Sequence, residues 1–398
     1  MKKAVAIAEG VHWVGAIDWD VRNFHGYHFS THRGTTYNAY LVVGEKIALV
    51  DTVHAPFAKE MIERIESVVP LEKIDFVVSN HVEMDHSGAM PELMSRIPKA
   101  KVFCTQKGKE GLSRYYGGDW DFKVVKTGDV LHLGKKSLQF IEAPMLHWPD
   151  SMFTYHPEES LLLSNDAFGQ HLATSERFAE ESQELLHDVL DASAKYYANI
   201  LWPFSPLVLR KIEEIVGMNL EIKTIAPAHG LIWGDPSKIL EAYMRWAKGI
   251  SKKKAVVVYD TMWGSTERMA RAVTEGLIET GLSVVQLRAS VTDRSDIIKE
   301  TLEAKAILVG SPTINNDSLS TLAAFLEEFH DLKPKGKMGA VFGSFGWAGG
   351  AEKKLGEALK ASSVEIAEPA LTFCYRPDEE ELEKCREFGR RVGAAVEA

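Results

Sequence analysis

The spacing of apolar positions changes near residue 255 of this 398-residue chain. Upstream of that point, short apolar runs of strand length are mixed with turns and with stretches of helical periodicity. Downstream, apolar strands alternate regularly with helices of about 10–15 residues, the pattern of a parallel sheet. The change predicts two domains, residues 1–250 and residues 251–398, which meet at a charged linker.

The N-terminal pattern predicts an α+β sandwich of two sheets, because many of its strands are short and paired through turns rather than through helices. Residues 38–51 contain two predicted strands around a Gly-Glu-Lys turn. The other predicted strands are 74–79, 101–104, 123–126, 137–142, 160–165 and 222–226. The predicted helices are 57–68, 88–96, 176–199, 206–217 and 236–248.

The C-terminal pattern predicts a doubly wound parallel sheet with right-handed crossovers and the flavodoxin-like strand order. Its clearest predicted strands are 255–260, 283–288, 306–311 and 338–344. The predicted helices between and after them are 266–280, 293–303, 318–330 and 350–361.

Composition and charge narrow the possible partners. The net charge of -10 argues against a nucleic-acid or anionic-membrane partner, since either requires a positive face. The first residues lack the apolar segment of about 7–15 residues of a secretory signal, and no apolar run approaches the ~20 residues of a membrane span. Cys104, Cys374 and Cys385 are scattered, which predicts neither a disulfide framework nor an iron–sulfur site. We therefore expect a cytoplasmic protein.

A candidate phosphate site follows the first strand of the C-terminal domain. Gly264 allows the backbone to approach a ligand closely. The hydroxyls of Thr261, Ser265 and Thr266 lie where the next helix begins, and free N–H groups at a helix start bind anions. No lysine follows the glycine, so this is not a Walker loop, and the G-x-G-x-x-G fingerprint is absent. Flavodoxins hold the phosphate of FMN in this way, although a plain helix cap would carry the same residues.

Two further loops favour FMN over a plain helix cap. They leave the third and fourth strands, and open α/β sheets bind ligands at the carboxyl ends of strands beside one switch point. Trp263 and Trp347 are candidates for stacking on the flavin ring, with core packing as the alternative for each. The predicted FMN-binding residues are Thr261, Met262, Trp263, Gly264, Ser265, Thr266, Ser311, Pro312, Thr313, Ile314, Asn315, Asn316, Ser344, Phe345, Gly346, Trp347, Ala348 and Gly349.

The N-terminal domain contains a cluster of potential metal ligands. After the strand at 74–79, His81, Glu83, Asp85 and His86 offer four ligands within six residues. In an extended loop, side chains two residues apart point the same way, so the first three are expected to converge. Three more candidates each follow a predicted strand: His147, Asp166 and His229. The sequence therefore predicts a metal site at one rim of the sandwich.

This series resembles the metallo-β-lactamase superfamily, whose hydrolases carry an H-x-H-x-D-H motif. The resemblance implies an αββα sandwich for the N-terminal domain. Here Glu83 stands in place of the middle histidine, and an oxygen-richer ligand set favours iron over zinc. The negative charge of the three carboxylates, together with a bridging hydroxide, would offset two Fe(II) ions.

A glutamate at this position, joined to a flavodoxin module, resembles the flavodiiron proteins over essentially the whole chain. The motifs H-x-E-x-D-H, H-W-P-D, D-A-F-G and A-H-G stand in order. The implied ligands are His81, Glu83 and His147 for one iron, Asp85, His86 and His229 for the other, and Asp166 as the bridge. The implied pocket residues, able to donate hydrogen bonds or protons to a bound diatomic molecule, are His25, His171 and Tyr197, with Tyr196 competing with Tyr197.

The implied reaction is the reduction of O2 to water and/or of NO to N2O at a non-haem diiron site, with electrons relayed through FMN. The sequence does not rank the two gases. Because the chain carries no cysteine cluster of its own, an external electron donor is required, with the protein rubredoxin the expected one and a reduced deazaflavin the other possibility. The family also implies a head-to-tail homodimer or a dimer of such dimers.

Two other classes of function remain open from the sequence. The first is a dinuclear zinc hydrolase with a fused flavodoxin regulator, and Glu83 argues against it. The second is a plain electron carrier with a vestigial metal pocket. The complete ligand set argues against that possibility.

Overall fold

The computed structural model describes residues 2–397, and the chain divides into two compact units. The N-terminal unit comprises Met1–Phe24, Thr31–Tyr196 and Pro206–Met244. The C-terminal unit comprises His25–Ser30, Tyr197–Ser205 and Arg245–Ala398. Two short segments that precede residue 206 therefore group with the C-terminal unit.

The strands are β1 (Val5–Ala8), β2 (Val11–Trp13), β3 (Ala16–Asp18), β4 (Asn23–Phe24), β5 (Phe29–Ser30), β6 (Thr35–Tyr37), β7 (Tyr40–Val43), β8 (Ile47–Val50), β9 (Phe76–Val78), β10 (Lys101–Cys104), β11 (Asp121–Val124), β12 (Val130–His132), β13 (Ser137–Glu142), β14 (Met152–His156), β15 (Leu161–Asn165), β16 (Thr224–Pro227), β17 (Lys254–Tyr259), β18 (Ser283–Arg288), β19 (Ala306–Pro312), β20 (Met338–Phe345), β21 (Glu365–Ile366) and β22 (Leu371–Cys374).

The α-helices are α1 (Ala58–Glu66), α2 (Met84–Ser87), α3 (Met90–Arg96), α4 (Gln106–Tyr116), α5 (Gln183–Tyr196), α6 (Ser205–Gly217), α7 (Ser237–Ala247), α8 (Ser265–Glu279), α9 (Arg294–Leu302), α10 (Ser320–Asp331), α11 (Ala351–Ala361) and α12 (Glu379–Glu397). A π-helical turn at Tyr197–Leu201 follows α5. Short 3-10 turns lie at Ala55–Phe57, Leu71–Lys73, Pro157–Glu159, Ala179–Glu181 and Trp202–Phe204.

Two sheets form the core of the N-terminal unit. The first has the order β1-β2-β7-β8-β9-β10-β11, and the second has the order β12-β13-β14-β15-β16. One buried cluster joins Trp13, Tyr40 and Val78 of the first sheet to Phe140 and Leu163 of the second. Apolar side chains from two facing sheets stabilise a sandwich by leaving water together. The two-sheet sandwich predicted from the sequence is therefore confirmed.

One parallel sheet forms the core of the C-terminal unit. Its order is β18-β17-β19-β20, and β21 and β22 both pair with β20, so the fifth strand position is shared by two short strands. This is the predicted flavodoxin-like order. Helices α8 and α12 pack closely on each other. A Cβ at Gly276 would lie 2.0 Å from the carbonyl oxygen of Arg386, and one at Gly389 would lie 2.3 Å from that of Val273.

Some local predictions differ from the structure. The predicted helix 88–96 is α3, which begins at Met90, and a separate short helix, α2, precedes it. The prediction of an extended loop through Asp85 is therefore wrong, because Asp85 and His86 lie in the helical turn of α2. The predicted helix 176–199 begins only at Gln183. No helix among residues 2–397 has both the length and the apolar character needed to cross a bilayer.

Candidate metal centre and flavin site

Strand ends position most of the candidate metal ligands of the N-terminal unit. Parallel neighbours such as β15 and β16 have their carboxyl ends side by side, so the residues after them meet at one rim. The candidates that follow strands β9, β13, β15 and β16 are His81, Glu83, His147, Asp166 and His229. The two supplied by α2 are Asp85 and His86.

Three side chains form a first group, which we call the His81 half: His81, Glu83 and His147. Oε2 of Glu83 lies 3.3 Å from Nε2 of His81 and 3.3 Å from Nε2 of His147. Ligand atoms that bind one ion at about 2.0–2.2 Å are separated by about 3 Å, so these distances suit a shared metal position.

Three further side chains form a second group, the His229 half: Asp85, His86 and His229. Oδ2 of Asp85 lies 3.3 Å from Nε2 of His86 and 3.0 Å from Nε2 of His229. The helical turn of α2 places Asp85 and His86 in this half, while Glu83 just before the turn belongs to the other. A motif of six residues thus contributes side chains to both groups of candidate ligands.

Asp166 lies between the two halves. Its Oδ2 is 3.5 Å from Nε2 of His147 and 3.7 Å from Nε2 of His81. Its Oδ1 is 3.1 Å from Nε2 of His86 and 3.6 Å from Nε2 of His229. One carboxylate oxygen therefore faces each half, which is the geometry of a bridging ligand.

The unsatisfied atoms of the cluster fit a pair of metal ions. Oδ1 of Asp85 and Oδ2 of Asp166 are buried, and neither accepts a hydrogen bond from the described part of the chain. Burying a carboxylate oxygen without a partner costs several kcal/mol unless a cation binds it. Four imidazole nitrogens and three carboxylates form a mixed N/O set of the kind that non-haem iron accepts. The residues present therefore fit two iron ions.

Nearby carboxylates raise the pKa values of three histidines in the cluster. Burial alone lowers the pKa of His81, but hydrogen bonds with Asp150 and Glu83 outweigh it and raise the pKa to about 10. The carboxylates similarly outweigh burial at His147, with a pKa of about 10, and at His86, with a pKa of about 9. Metal ions displace such protons when they bind. The carboxylates that raise these pKa values are the groups that would also attract the metal ions.

A buried aspartate that the sequence analysis did not single out aligns two ligand loops. Oδ1 of Asp51 accepts the backbone N–H of Asn80 at 2.7 Å, and its Oδ2 accepts the side-chain amides of Asn80 and Asn165 at 3.0 and 3.2 Å. These asparagines directly precede His81 and Asp166. The available signal was the position of Asp51 at the carboxyl end of β8, which is where the ligands themselves lie on their strands.

The Nδ1 atoms of the histidine ligands have different partners. The Nδ1–H of His81 donates to Oδ2 of Asp150 at 2.9 Å, and that of His229 donates to the carbonyl of Thr36 at 2.6 Å. Such bonds fix the tautomer and turn Nε2 towards the metal position. Asp150, the last residue of H-W-P-D, is a second functional residue not singled out from the sequence.

The residues expected to line the pocket lie in different places. The hydroxyl of Tyr196 donates to Oδ1 of Asp166 at 2.9 Å, and the ring of His171 lies 4.7 Å from that of His229. Tyr197 instead shares a hydrogen bond with Ser205 at 2.8 Å within the C-terminal unit.

Burial, and then the nearby Asp166, raise the pKa of Tyr196 well above its usual value, so its hydroxyl stays protonated and donates. His25 is exposed and has a left-handed backbone, with φ of 50°. The roles of His25 and Tyr197 stay predictions.

The C-terminal unit contains a cavity of about 890 Å³ at the carboxyl ends of its strands. Its lining residues are Thr261, Met262, Trp263, Ser265, Pro312, Thr313, Ile314, Asn315, Asn316, Ser344, Phe345, Gly346, Trp347, Ala348, Tyr375 and Arg376. Three predicted loops thus border one cavity, and α8 begins there. The space suits a flavin, whose ring needs close backbone approach and whose phosphate needs a helix start.

Four of the predicted flavin residues do not line this cavity. Gly264 has φ of 83° and lines a smaller adjoining pocket of about 290 Å³. Thr266 is buried, and its hydroxyl lies 3.0 Å from that of Ser344. Ser311 uses its hydroxyl within the chain, accepting the N–H of Leu319 at 2.9 Å. Gly349, the fourth, lies just beyond the lining segment of its loop.

Aromatic side chains surround the cavity and face solvent. Trp263 is 94% exposed and Trp347 is 91% exposed, so neither packs in the core of the chain. Tyr375 and Arg376, which follow β22, also line the cavity and have no counterpart in the predicted set. They were not predicted because β22 was not among the predicted strands. In open α/β sheets the ligand-binding residues follow strand ends, so a missed strand also hides the residues after it.

Comparisons with known proteins agree with both units. The family model described as ODP family beta lactamase matches residues 35–230. The flavodoxin model matches residues 257–389. The predicted combination of a metallo-β-lactamase-like domain with a flavodoxin-like domain is therefore confirmed.

Similar proteins extend over the whole chain. A nitric oxide reductase from Moorella thermoacetica is 54% identical over 399 residues and covers 100% of both chains. The rubredoxin oxygen:oxidoreductase from Desulfovibrio gigas has a TM-score of 0.94 and 38% identity, covering 99% of each chain. The flavodiiron protein from Giardia intestinalis has a TM-score of 0.95 and 37% identity, covering 100% of this chain and 97% of its own. The chain belongs to the flavodiiron protein family.

Proposed function

We propose that this protein is an oxidoreductase that reduces O2 to water and/or NO to N2O at a non-haem diiron site, with electrons relayed through FMN. The observation that carries the proposal is the position of Asp166, with one oxygen facing the His81 half and the other facing the His229 half. Its cofactors are FMN and two iron ions. When bound, the irons would polarise the diatomic substrate and exchange electrons with it, and the flavin would resupply those electrons.

The chain's own residues would prepare the site for this chemistry. We propose that the His81 half holds one iron, that the His229 half holds the other, and that Asp166 bridges them. Tyr196 holds a proton on its hydroxyl at 2.9 Å from Oδ1 of Asp166, and His171 packs against His229. Both are therefore placed to donate a hydrogen bond or a proton beside the metal positions. The hydrogen bonds that Asp51 accepts from Asn80 and Asn165 hold the two ligand loops in place.

The flavin cavity would hold FMN with residues of all three loops and the start of α8. Thr261 and Ser265 offer hydroxyl donors near that helix start, and the backbone from Gly346 to Ala348 borders the cavity. We retain residues 1–250 as the diiron domain and 251–398 as the FMN domain. The family matches at 35–230 and 257–389 support this division.

An electron-donor protein supplies the reducing equivalents, and we propose that it is rubredoxin. Support comes from the name of the Desulfovibrio gigas relative, a rubredoxin oxygen:oxidoreductase of 38% identity. A head-to-tail homodimer, or a dimer of such dimers, remains our expectation for the assembly, as does a cytoplasmic location.

The test is an anaerobic purification followed by quantification of Fe, Zn and FMN per chain. The reduced protein is then mixed with O2 and, separately, with NO. We expect about two irons and one FMN per chain and consumption of at least one gas. Iron well below that content, or no consumption of either gas, would contradict the proposal. Reduced rubredoxin and a reduced deazaflavin, supplied in parallel under turnover, identify the donor.

The competing candidate is a dinuclear zinc hydrolase with a fused flavodoxin regulator. Zinc in place of iron, together with hydrolysis of a thioester, ester or phosphodiester, would establish it. Glu83 within the His81 half argues against this candidate, because its carboxylate replaces the nitrogen ligand that zinc hydrolases favour.

A further inference from the structure

The two halves of the metal centre have matching ligand sets. Each half contains two histidines, one carboxylate of its own and one oxygen of Asp166. Direct ligand charge therefore does not distinguish one metal position from the other. Any difference between them must come from the residues that contact the ligands.

Those residues differ in charge. Behind His81 lies the carboxylate of Asp150, which is buried and is also held by the N–H of Val82 at 2.8 Å. Behind His229 lies the neutral carbonyl of Thr36. A carboxylate on the far nitrogen makes an imidazole a stronger donor to its metal than a carbonyl does.

Two further observations act in the same direction. Nδ1 of His86, in the His229 half, is buried and has no hydrogen-bond partner in the described part of the chain. The hydroxyl of Tyr196 donates to Oδ1 of Asp166, the oxygen that faces the His229 half. A hydrogen bond to a ligand oxygen withdraws electron density and weakens that oxygen as a donor. Oδ2, which faces the His81 half, accepts no such bond from residues 2–397.

We infer that Asp150 and Tyr196 make the two metal positions unequal, so that the iron in the His81 half is the more easily oxidised. This inference rests on the proposed diiron function. Negative charge near a metal stabilises Fe(III) more than Fe(II), because the ferric ion carries one more positive charge. After removal of one electron to an electrode, the ferric ion lies in the His81 half and the ferrous ion in the His229 half. Asp150 is a positioning residue that acts through His81.

The test is a redox titration of the full-length protein loaded with iron and FMN. The two one-electron potentials of the diiron centre are measured, and the Fe(II)Fe(III) state is followed by its EPR signal. Asp150→Asn keeps the size of the side chain and an oxygen that can accept both hydrogen bonds, but removes the charge. Residues that hydrogen-bond a metal ligand typically contribute at least about tenfold to metal binding. If Asp150→Asn lowers the preference for Fe(III) over Fe(II) by about tenfold, the lower potential rises by about 59 mV.

Two variants accompany Asp150→Asn. Asp121→Asn removes the same charge at an exposed residue paired with Lys123, and should leave both potentials unchanged. Tyr196→Phe removes the donor to Oδ1 of Asp166, and should lower the upper potential while leaving the lower one in place. Asp150→Asn and Tyr196→Phe should therefore both narrow the gap between the two potentials. The first does so by raising the lower potential, and the second by lowering the upper one. Tyr196→Phe also tests the inference if Asp150→Asn fails to fold.

The outcomes separate this inference from the proposed function. Unchanged potentials, a wider gap, or the same potential moved by both variants would overturn the inference while leaving the diiron function intact. A wild-type protein that contains fewer than about two irons per chain would instead contradict the proposed function itself.

Discussion

The side chains of the seven candidate metal ligands are at most 16% exposed, whereas Trp263 and Trp347 beside the flavin cavity are more than nine-tenths exposed. The metal centre is built from carboxylates and imidazoles, and the Nδ1 atoms of His81 and His229 are held by further residues. The flavin cavity is built mainly from backbone loops, small residues and exposed rings. The two regions of this molecule therefore bind their cofactors by different means.

The difference follows from what each cofactor requires. Iron ions need charged or imidazole ligands at fixed distances, and a buried carboxylate without a cation is costly. A neutral flavin ring needs space, backbone donors and a flat apolar partner. We therefore expect loss of the shared metal ligand to abolish iron binding, whereas substitutions at the flavin cavity should lower FMN affinity by degrees.

The strongest test of that contrast is Asp166→Ala. Because Asp166 contributes to both halves, its loss should remove both irons, not one. We expect consumption of O2 and NO to fall by more than about 100-fold, beyond the effect of changing a residue that only supports a ligand. Metal analysis and flavin absorbance on the same sample should show iron lost and FMN retained. Asp121→Ala, at an exposed carboxylate, is the control, and unchanged iron content in Asp166→Ala would refute the bridging assignment.

At the flavin cavity, Gly264→Val should weaken FMN binding without affecting iron. Gly264 has φ of 83°, which a β-branched residue adopts only with strain of about 1–3 kcal/mol. Relief of that strain would move the start of α8 and lower FMN affinity by about 10–100-fold. The measurement is fluorescence titration of the flavin-free protein with FMN.

Gly281→Val provides a matched control for this change. Gly281 has φ of 84° and open space around it, like Gly264, but unlike Gly264 it does not line the pocket that adjoins the flavin cavity. Both variants carry the same kind of backbone strain. Equal losses of FMN in the two would mean that general destabilisation, and not the helix start, explains the effect.

How far the sequence predicted each region depends on the same physical difference. The seven ligand candidates were predictable because few structures need His, Glu and Asp after so many apolar strands. Their division between halves was not predictable from spacing, since α2 rotates Asp85 and His86 away from Glu83. Asp51 and Asp150 were missed because a lone buried aspartate has no distinctive spacing.

In the C-terminal unit, the strand–helix alternation predicted the sheet order correctly, and the three loops that it indicated border one cavity. It could not say which loop residues face the cavity, because that depends on backbone conformation more than on residue type. Thr266 has the same hydroxyl as Thr261, yet it is buried beside Ser344. Tyr375 and Arg376 follow β22, whose four residues are too few to give a clear alternation.

A smaller effect should distinguish two adjacent tyrosines. The hydroxyl of Tyr196 donates to Asp166, whereas that of Tyr197 lies at Ser205. We expect Tyr196→Phe to lower the rate of O2 or NO reduction by about tenfold, the lower end for residues that support a metal ligand. Tyr197→Phe should remain within about twofold of wild type, because its hydroxyl is engaged by Ser205. The reverse order would restore Tyr197 as the functional residue.

The smallest expected effect concerns the exposed rings. Because Trp347 is almost entirely exposed, Trp347→Ala should change the free energy of unfolding by less than about 0.5 kcal/mol in the FMN-free protein. If its ring stacks on the flavin, loss of about 0.5–1.5 kcal/mol of aromatic contact weakens FMN binding by about 2–12-fold.

Trp263→Ala, measured beside it, asks whether both rings contact the flavin or only one. Full FMN affinity in both variants would mean that the cavity binds through its backbone alone, which would make the two regions of the molecule differ even more than we propose. A large loss of stability in either variant would contradict the exposure of these rings. We expect both variants to bind FMN more weakly and to keep their iron content. That result would support the contrast between a charged, buried metal centre and an open, backbone-lined flavin cavity.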